Sequence, residues 1–212
     1  MTSLVIIKEG FSEFDQKCNI MRANCSCTIV RSSDVCIIVD PLTAWDKDYI
    51  LQQLKEQNLN PDDITHVVCT HGHSDHIGNL NLFLKAIHIV GQSISCGTDY
   101  FIHSFDKTPY KINSSIQVIA TPGHTHSDVS VVVLTETYGT VVIAGDLFER
   151  KEDIQEPSLW REIAGSENPK LQLINRQRIL DMADYIIPGH GPMFKVTADL
   201  KHAHSSLLLK ES

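Results

Sequence analysis

Short apolar runs, separated by polar turns, recur along this chain, and their spacing alternates between strand and helix. Residues 4–7, 28–31 and 35–39 read as strands. The last is apolar at nearly every position, the pattern of a strand covered on both faces. It ends at Asp40-Pro41, a chain-turning pair. From Asp46, a candidate N-cap, Ile50, Leu51 and Leu54 share one side of a helix that residues 58–63, with Pro61, bring to a stop. Residues 65–69 form the next strand and run straight into His71-Gly72-His73-Ser74-Asp75-His76. Residues 77–84 carry a helical pattern, 87–90 a strand pattern, and 91–114 read as polar and irregular. A strand at 116–120 stops at Thr121-Pro122-Gly123-His124. Residues 129–134 and 140–144 form a hairpin around Tyr138-Gly139, closed by Gly145-Asp146. Residues 149–169 read as a charged loop and 171–182 as a helix. Residues 185–187 are a strand leading into Pro188-Gly189-His190-Gly191, and the tail from Thr197 is an amphipathic helix.

Strands that alternate with helices throughout predict a layered α/β fold, one domain over residues 1–212 with no linker. There is no internal repeat and no low-complexity segment. One arrangement recurs four times: an apolar strand stops at a loop that carries His or Asp beside Gly or Pro. Loops at strand ends are where rigid scaffolds assemble their sites.

Composition changes this picture mainly by exclusion. Hydrophobic residues make up 42% and charged residues 21% of the chain, ordinary values that leave no room for disorder or coiled coil. No apolar run reaches the length of a membrane span, and the N-terminus lacks the basic and apolar regions of a secretory leader. The net charge of −8, with no dense Lys/Arg run, gives no general adhesion to nucleic acid or anionic membrane. Six cysteines are too sparse for a disulfide scaffold, and the chain reads as cytosolic and reduced. Cys25 and Cys27 read as small hydrophobes on one face of a strand. No second pair at suitable spacing completes a Cys-x-Cys zinc half-site.

The eleven histidines are more informative. His71 and His73 stand two apart, so in an extended segment they point the same way and can share one ion. Asp75 and His76, past the next turn, can face a second. Imidazole nitrogen and carboxylate oxygen are what a borderline cation such as Zn²⁺ accepts. An isolated His-x-His would read as a polar, capping loop, but here His124, Asp146 and His190 also stand at strand ends beside glycine. Together they predict a metal centre. His126 reads as a surface-loop histidine. His202 and His204 face different directions on their helix. His66, His88 and His103 have no partners in pattern.

The run Thr70-His71-Gly72-His73-Ser74-Asp75-His76 resembles the His-x-His-x-Asp-His signature of the metallo-β-lactamase superfamily. The later Pro-Gly-His, Gly-Asp and Pro-Gly-His-Gly pieces follow in the family's order over nearly the whole chain. The resemblance implies a four-layer αβ/βα sandwich with two metals at one edge of the sheets. His71, His73 and His124 would hold the first ion, and Asp75, His76 and His190 the second. Asp146 would bridge them opposite a shared hydroxide, with Asp40 supporting the site from behind. The ions would be two Zn²⁺, with iron or manganese as alternatives at either position. One departure is Gly123-His124-Thr125-His126-Ser127-Asp128, where the family commonly has Gly-His-Thr-Pro-Gly-Ser, so the polarity beside the metals differs.

Residues 73–80, 128–133, 145–150 and 188–192 are similar to one subgroup of small cytosolic members associated with endonucleolytic cleavage of histone pre-mRNA. That likeness implies an endoribonuclease, cytosolic and also nuclear, with RNA as partner, no membrane, and a homodimer left open. Direct attack by a metal-activated hydroxide needs no protein nucleophile, and no Gly-x-Ser-x-Gly elbow is present. By that resemblance, Asp75 and Asp146 would carry the catalytic roles. Lactam-cleaving members with a Cys ligand have it where Asp146 stands, and some classes have Arg where His76 stands. This site is instead similar to the all-His/Asp type of phosphodiesterases and thioesterases. Only 22 residues follow His190, which counts against the helical glutathione-binding domain of glyoxalase II-like thioesterases. The stretch between Asp146 and His190 is also too short for the cap domain of larger RNA-processing members. The alternatives are a hydrolase of a small ester or thioester, and a metal-bound scaffold without turnover. An RNA substrate would require a local basic border, for which Arg150, Arg161, Arg176 and Arg178 are the candidates.

Overall fold

The computed structural model describes residues 1–211, with side chains through Leu209. β1 (Ser3–Lys8) leads into a separate hairpin of β2 (Phe11–Asp15) and β3 (Ile20–Asn24). Then come β4 (Cys27–Arg31), β5 (Cys36–Val39), α1 (Lys47–Glu56), β6 (His66–Cys69), the single turn α2 (Ser74–Ile77), β7 (Ile87–Val90), β8 (Ser93–Cys96) and β9 (Asp99–Phe101). The second half runs β10 (Tyr110–Lys111), β11 (Ile116–Ala120), β12 (Val129–Thr135), β13 (Gly139–Gly145), α3 (Pro169–Met182), β14 (Tyr185–Pro188), β15 (Phe194–Lys195) and α4 (Ala198–Glu211).

The strands form a seven-stranded sheet in the order β1-β4-β5-β6-β7-β8-β9 and a six-stranded sheet in the order β10 to β15. Alternation along each strand decides the layers. Ile37, Val39 and Val68 of the first sheet meet Val131, Val133, Val141 and Ile143 of the second in the central core. Their neighbours Ile38, Val67 and Cys69 face outward, where Ile50 and Leu54 of α1 cover them. On the far side, Val132, Val142 and Ile186 are covered by Ile179 and Leu180 of α3 and Leu200 of α4. The result is the expected four-layer αβ/βα sandwich. Cys25 and Cys27 do not share a strand: Cys25 lies in the turn between β3 and β4, and both are fully buried in the apolar cluster that includes Ile50 and Leu54 of α1.

Three segments depart from the sequence reading. The hairpin β2–β3 was not marked by any apolar periodicity. Residues 91–114, expected to be irregular, contribute β8, which lies between β7 and β9, and the edge strands β9 and β10. Residues 149–169 hold two short helical turns with Asp153 and Trp160 fully buried. Asp46 stands at the N-cap of α1 as expected, but its side chain makes no bond to that helix and turns back to accept from Thr43 Oγ1 (2.5 Å), Asn24 Nδ2 (2.8 Å) and Lys8 Nζ (3.0 Å). It thus ties β1, the end of β3 and the start of α1 together.

The two histidines on α4 part as expected, His202 exposed and His204 fully buried. His204 Nδ1 bonds Gln177 Oε1 of α3 at 3.0 Å. Burial, with the nearby Arg176 and Arg161 guanidinium groups, pushes its pKa down to about 3. The unfolded chain takes up this proton near pH 6.5, whereas the folded chain refuses it until about pH 3. The stability this group contributes is therefore complete above pH 6.5 and lost as pH falls below it, by at most about 1.4 kcal/mol per pH unit. Urea unfolding of His204→Leu against the wild type should show the variant gaining relative stability steadily from pH 6.5 to 4.5. Parallel curves would mean that this histidine is not held neutral.

Candidate metal centre

Parallel strand pairs bring the polar strand ends together. β5 and β6 lie side by side, so Asp40 and Thr70 emerge next to each other, and β13 and β14 do the same for Asp146 and His190. The two sheets are joined at this edge where Val129 N donates to Thr70 O (2.9 Å). Gly145 has a φ of +54°, and a Cβ there would lie 2.3 Å from Thr70 Oγ1. A Cβ on Gly189 would stand 1.9 Å from Asp146 Oδ1. Only glycine at both positions allows the Asp146 carboxylate to lie where it does.

That carboxylate is 5% exposed and faces two sets of side chains. Its Oδ2 is 3.5 Å from His71 Nε2, 3.4 Å from His124 Nε2 and 3.3 Å from His190 Nε2. Its Oδ1 is 3.2 Å from His76 Nε2. His73 Nδ1 closes the first set, 2.8 Å from His71 Nε2 and 3.1 Å from His124 Nε2. Asp75 Oδ2 closes the second, 3.8 Å from both His76 Nε2 and His190 Nε2. All seven residues singled out in the sequence therefore converge. Among the described residues, three overlapping clusters have the spacing of a cation site: His71-His73-His124-Asp146, Asp75-His76-His190 and Asp146-Glu149-His190.

The outward ring nitrogens fix the orientation of the inward ones. His76 Nδ1 lies 3.0 Å from Asp40 Oδ2, His124 Nδ1 2.9 Å from Gly165 O and His190 Nδ1 3.0 Å from Asn24 O. Each bond places the proton on Nδ1 and leaves Nε2 as a donor of electron pairs toward the centre. Asp40, at the left-handed φ of 53°, also accepts from Thr70 N and Oγ1, as expected of a support behind the site. Among the described residues, His76 Nε2 and Asp146 Oδ1 find no hydrogen-bond partner of acceptable geometry. Buried, inward-facing and without partners, these atoms fit a divalent cation better than they fit each other.

Without a cation, protons must balance the charge. Burial opposes ionisation of Asp146, but His190, His76 and His71 outweigh it and hold the carboxyl well below its usual range. Burial would likewise lower His190, yet the Asp146 carboxylate pushes it up to about 10. His71 goes the other way, held well down by burial and by the charge of His76.

Several contributors were not legible beforehand. α3 presents a polar inner side: Gln172 Nε2 donates to Asp146 O (3.1 Å), Arg176 Nη1 to Leu147 O (2.7 Å) and Asn175 Nδ2 to Pro122 O (2.7 Å). One helix thereby grips both strand-end loops. Cys25 Sγ donates to Asp75 O (2.9 Å), so this thiol holds the ligand-bearing turn. The hairpin and residues 163–164 wall a cleft of about 280 Å³ over the centre, lined by Ser12, Met21, Ala23, Ile163 and Ala164 together with Glu149. Phe14 and Met21, both partly exposed, extend that apolar wall beside Ile163. His126 does not reach the centre; its ring is exposed and pairs with Glu167.

The profile of the metallo-β-lactamase superfamily matches residues 21–110. The chain is 42% identical over 203 residues to metallo-β-lactamase domain-containing protein 1 of Xenopus laevis, covering 94% of this chain and 83% of that one. The chain belongs to the metallo-β-lactamase superfamily. The human protein of the same name is 45% identical over 163 residues, 76% of this chain and 59% of that one, so the chain spans about three fifths of the human relative's length. The fold superposes on the metallo-β-lactamase FIM-1 of Pseudomonas aeruginosa in its mono-zinc form with a TM-score of 0.66, at 18% identity and covering 95% and 90% of the two chains. Membership in this superfamily makes the chain a metallo-hydrolase in broad class, and the clustered His and Asp residues are its candidate metal site.

Two outcomes follow for metal removal. Because an ion bound only by the folded chain stabilises it, a chelator should lower the melting temperature, and hydrogen exchange should rise in the ligand-bearing loops before the strands of the central core. Asp146→Ala should reduce bound metal by at least one equivalent in elemental analysis, whereas His126→Ala should leave it unchanged. Equal losses in the two variants would exclude this arrangement.

Proposed function

We propose that the chain is a hydrolase working through two divalent ions, zinc or else iron or manganese, held by His71, His73 and His124 on one side and Asp75, His76 and His190 on the other. The observation that carries this reading is Asp146, a single carboxylate that touches both sets, with Oδ2 facing His71, His124 and His190 and Oδ1 facing His76. When bound, such ions lower the pKa of a coordinated water toward neutrality and polarise the group under attack. Asp146 fixes the geometry on which attack depends. Asp75, with 18% of its side chain exposed at the mouth, is placed to carry a proton toward the leaving group.

The substrate we infer is RNA, cleaved at a phosphodiester bond, as in histone pre-mRNA processing, by a protein of the cytosol and nucleus. This rests on the likeness to the subgroup described above, which the identity with metallo-β-lactamase domain-containing protein 1 over most of the chain supports.

A second reading, hydrolysis of a small ester or thioester, is favoured by the arginines. Arg176 is fully buried against Asp153, Arg178 donates to Ala120 O and Arg161 stacks on Trp160. Arg150 alone among the four stands next to the cleft, and its Nη1 donates to Ser12 O. The apolar wall of Phe14, Met21 and Ile163 also suits an acyl or aromatic group.

Incubating the metal-loaded protein with a stem-loop RNA and with a small thioester, each with and without chelator, separates the two. Under the RNA reading, chelator-sensitive cleavage of RNA dominates. Arg150→Gln, which keeps a donor for Ser12, should then slow it several-fold and flatten its salt dependence by roughly 0.7 in the logarithmic slope. Chelator-sensitive thioester hydrolysis that Arg150→Gln leaves unchanged would replace RNA with the small substrate.

A further inference from the structure

Glu149 stands three residues after Asp146 and lines the cleft, although nothing in the spacing of the sequence marked it. Its side chain is 4% exposed. Oε2 lies 4.0 Å from His190 Nε2, and among the described residues Oε1 has no hydrogen-bond partner. The ligand atoms of Asp146, Glu149 and His190 lie within 4.8 Å of one another.

The backbone of Glu149 is held on both sides. Its N donates to Asp153 Oδ2 (2.7 Å), and its O accepts from His190 N (2.8 Å). Asp153 is in turn locked by the buried Arg176. The guanidinium groups nearby are turned elsewhere, Arg150 to Ser12 and Arg176 to Asp153. Glu149 therefore aims into the centre with no Lys or Arg side chain assigned to it, and its one basic neighbour there is His190, itself a member of the second set. A buried carboxylate oxygen without a partner, beside a second carboxylate, is costly unless positive charge is supplied.

We propose that Glu149 is an additional ligand, giving an oxygen to the ion held by Asp75, His76 and His190. The inference rests on the two-ion reading above. It makes the two positions chemically unequal. The first set offers three imidazoles and a share of Asp146. The second offers two imidazoles and the carboxylates of Asp75, Glu149 and Asp146. More oxygen and a higher ligand count favour a harder cation with a larger coordination number, so Mn²⁺ competes with Zn²⁺ better at the second position than at the first.

The test is an equilibrium titration of metal-free wild type and Glu149→Gln with Zn²⁺ and, separately, Mn²⁺, read by competition with a chromophoric chelator. Glutamine keeps the size and neutrality of a protonated acid, so a merely packed Glu149 would tolerate the change. As a ligand, its loss should weaken one of the two Zn²⁺ equivalents by about tenfold or more, leave the other unchanged, and cost Mn²⁺ more than Zn²⁺. The visible spectrum of the Co²⁺-loaded protein should change as one oxygen leaves. If the wild type binds two ions and Glu149→Gln binds both equally well, Glu149 is not a ligand. If the wild type binds none, the two-ion reading itself fails. Circular dichroism of the metal-free proteins checks folding, and should Glu149→Gln not fold, Glu149→Ala, which also removes the carboxylate, is titrated in its place with the same two outcomes.

Discussion

Asp146 is 5% exposed, with four imidazole nitrogens between 3.2 and 3.5 Å from its two oxygens. A carboxylate so far from water stays ionised only if positive charge faces it on each side, whether from protons on histidine or from cations. The placement of those histidines, and of the strands that deliver them, follows from that requirement. Each comes from the C-terminal end of a buried strand or from the turn after it, and the strand cores give these ends their rigidity. The glycines at 145 and 189 are the steric side of the same arrangement, since any side chain at either position would displace Thr70 or Asp146.

The inner side of α3 shows how much apolar packing has been given up for this. A helix covering a sheet ordinarily presents aliphatic residues, yet Gln172, Asn175 and Arg176 are buried here alongside Leu173, Ile179 and Leu180. Their contribution to net stability is small, because desolvating Arg176 and Asp153 offsets much of their attraction. Their effect is geometric. Arg176 binds Leu147 O and Asp153 at once, so the segment that follows Asp146 folds back under the cleft instead of running out into water.

The sequence reading succeeded where burial is one-sided or complete. Val131, Val132 and Val133 alternate between two cores, and their run was recognisable as a strand for that reason. The residues that converge at the candidate centre were legible too, since His and Asp beside Gly recur at strand ends. The hairpin β2–β3 left no such trace. Phe11, Phe14, Ile20 and Met21 are each about half exposed, and neither face of the hairpin is a core face. The strands in 91–114 are short, and two of them, β9 and β10, lie at sheet edges where no second core face asks for an apolar run. Glu149 and Gln172 were hidden for a different reason. A charged residue in a loop and an amide on a helix both read as solvent-facing, and only the tertiary fold turns them inward.

The bonds that complete the centre join the two ends of the chain. His190 Nδ1 reaches the carbonyl of Asn24 across 166 positions, and Ser26 Oγ reaches that of Gly191 across 165. The segment with His71, His73, Asp75 and His76 leaves the ribosome well before Asp146, Glu149 and His190. A half-made chain thus presents a loose, multidentate histidine loop with no buried carboxylate to hold it. Closing so long a loop is entropically slow, and the chain must be available through His190 and Gly191 before it can happen. The order of synthesis therefore keeps the enclosed His/Asp cluster from existing until the second sheet has formed against the first. A chain interrupted anywhere between these segments is left with exposed imidazoles and no enclosed site.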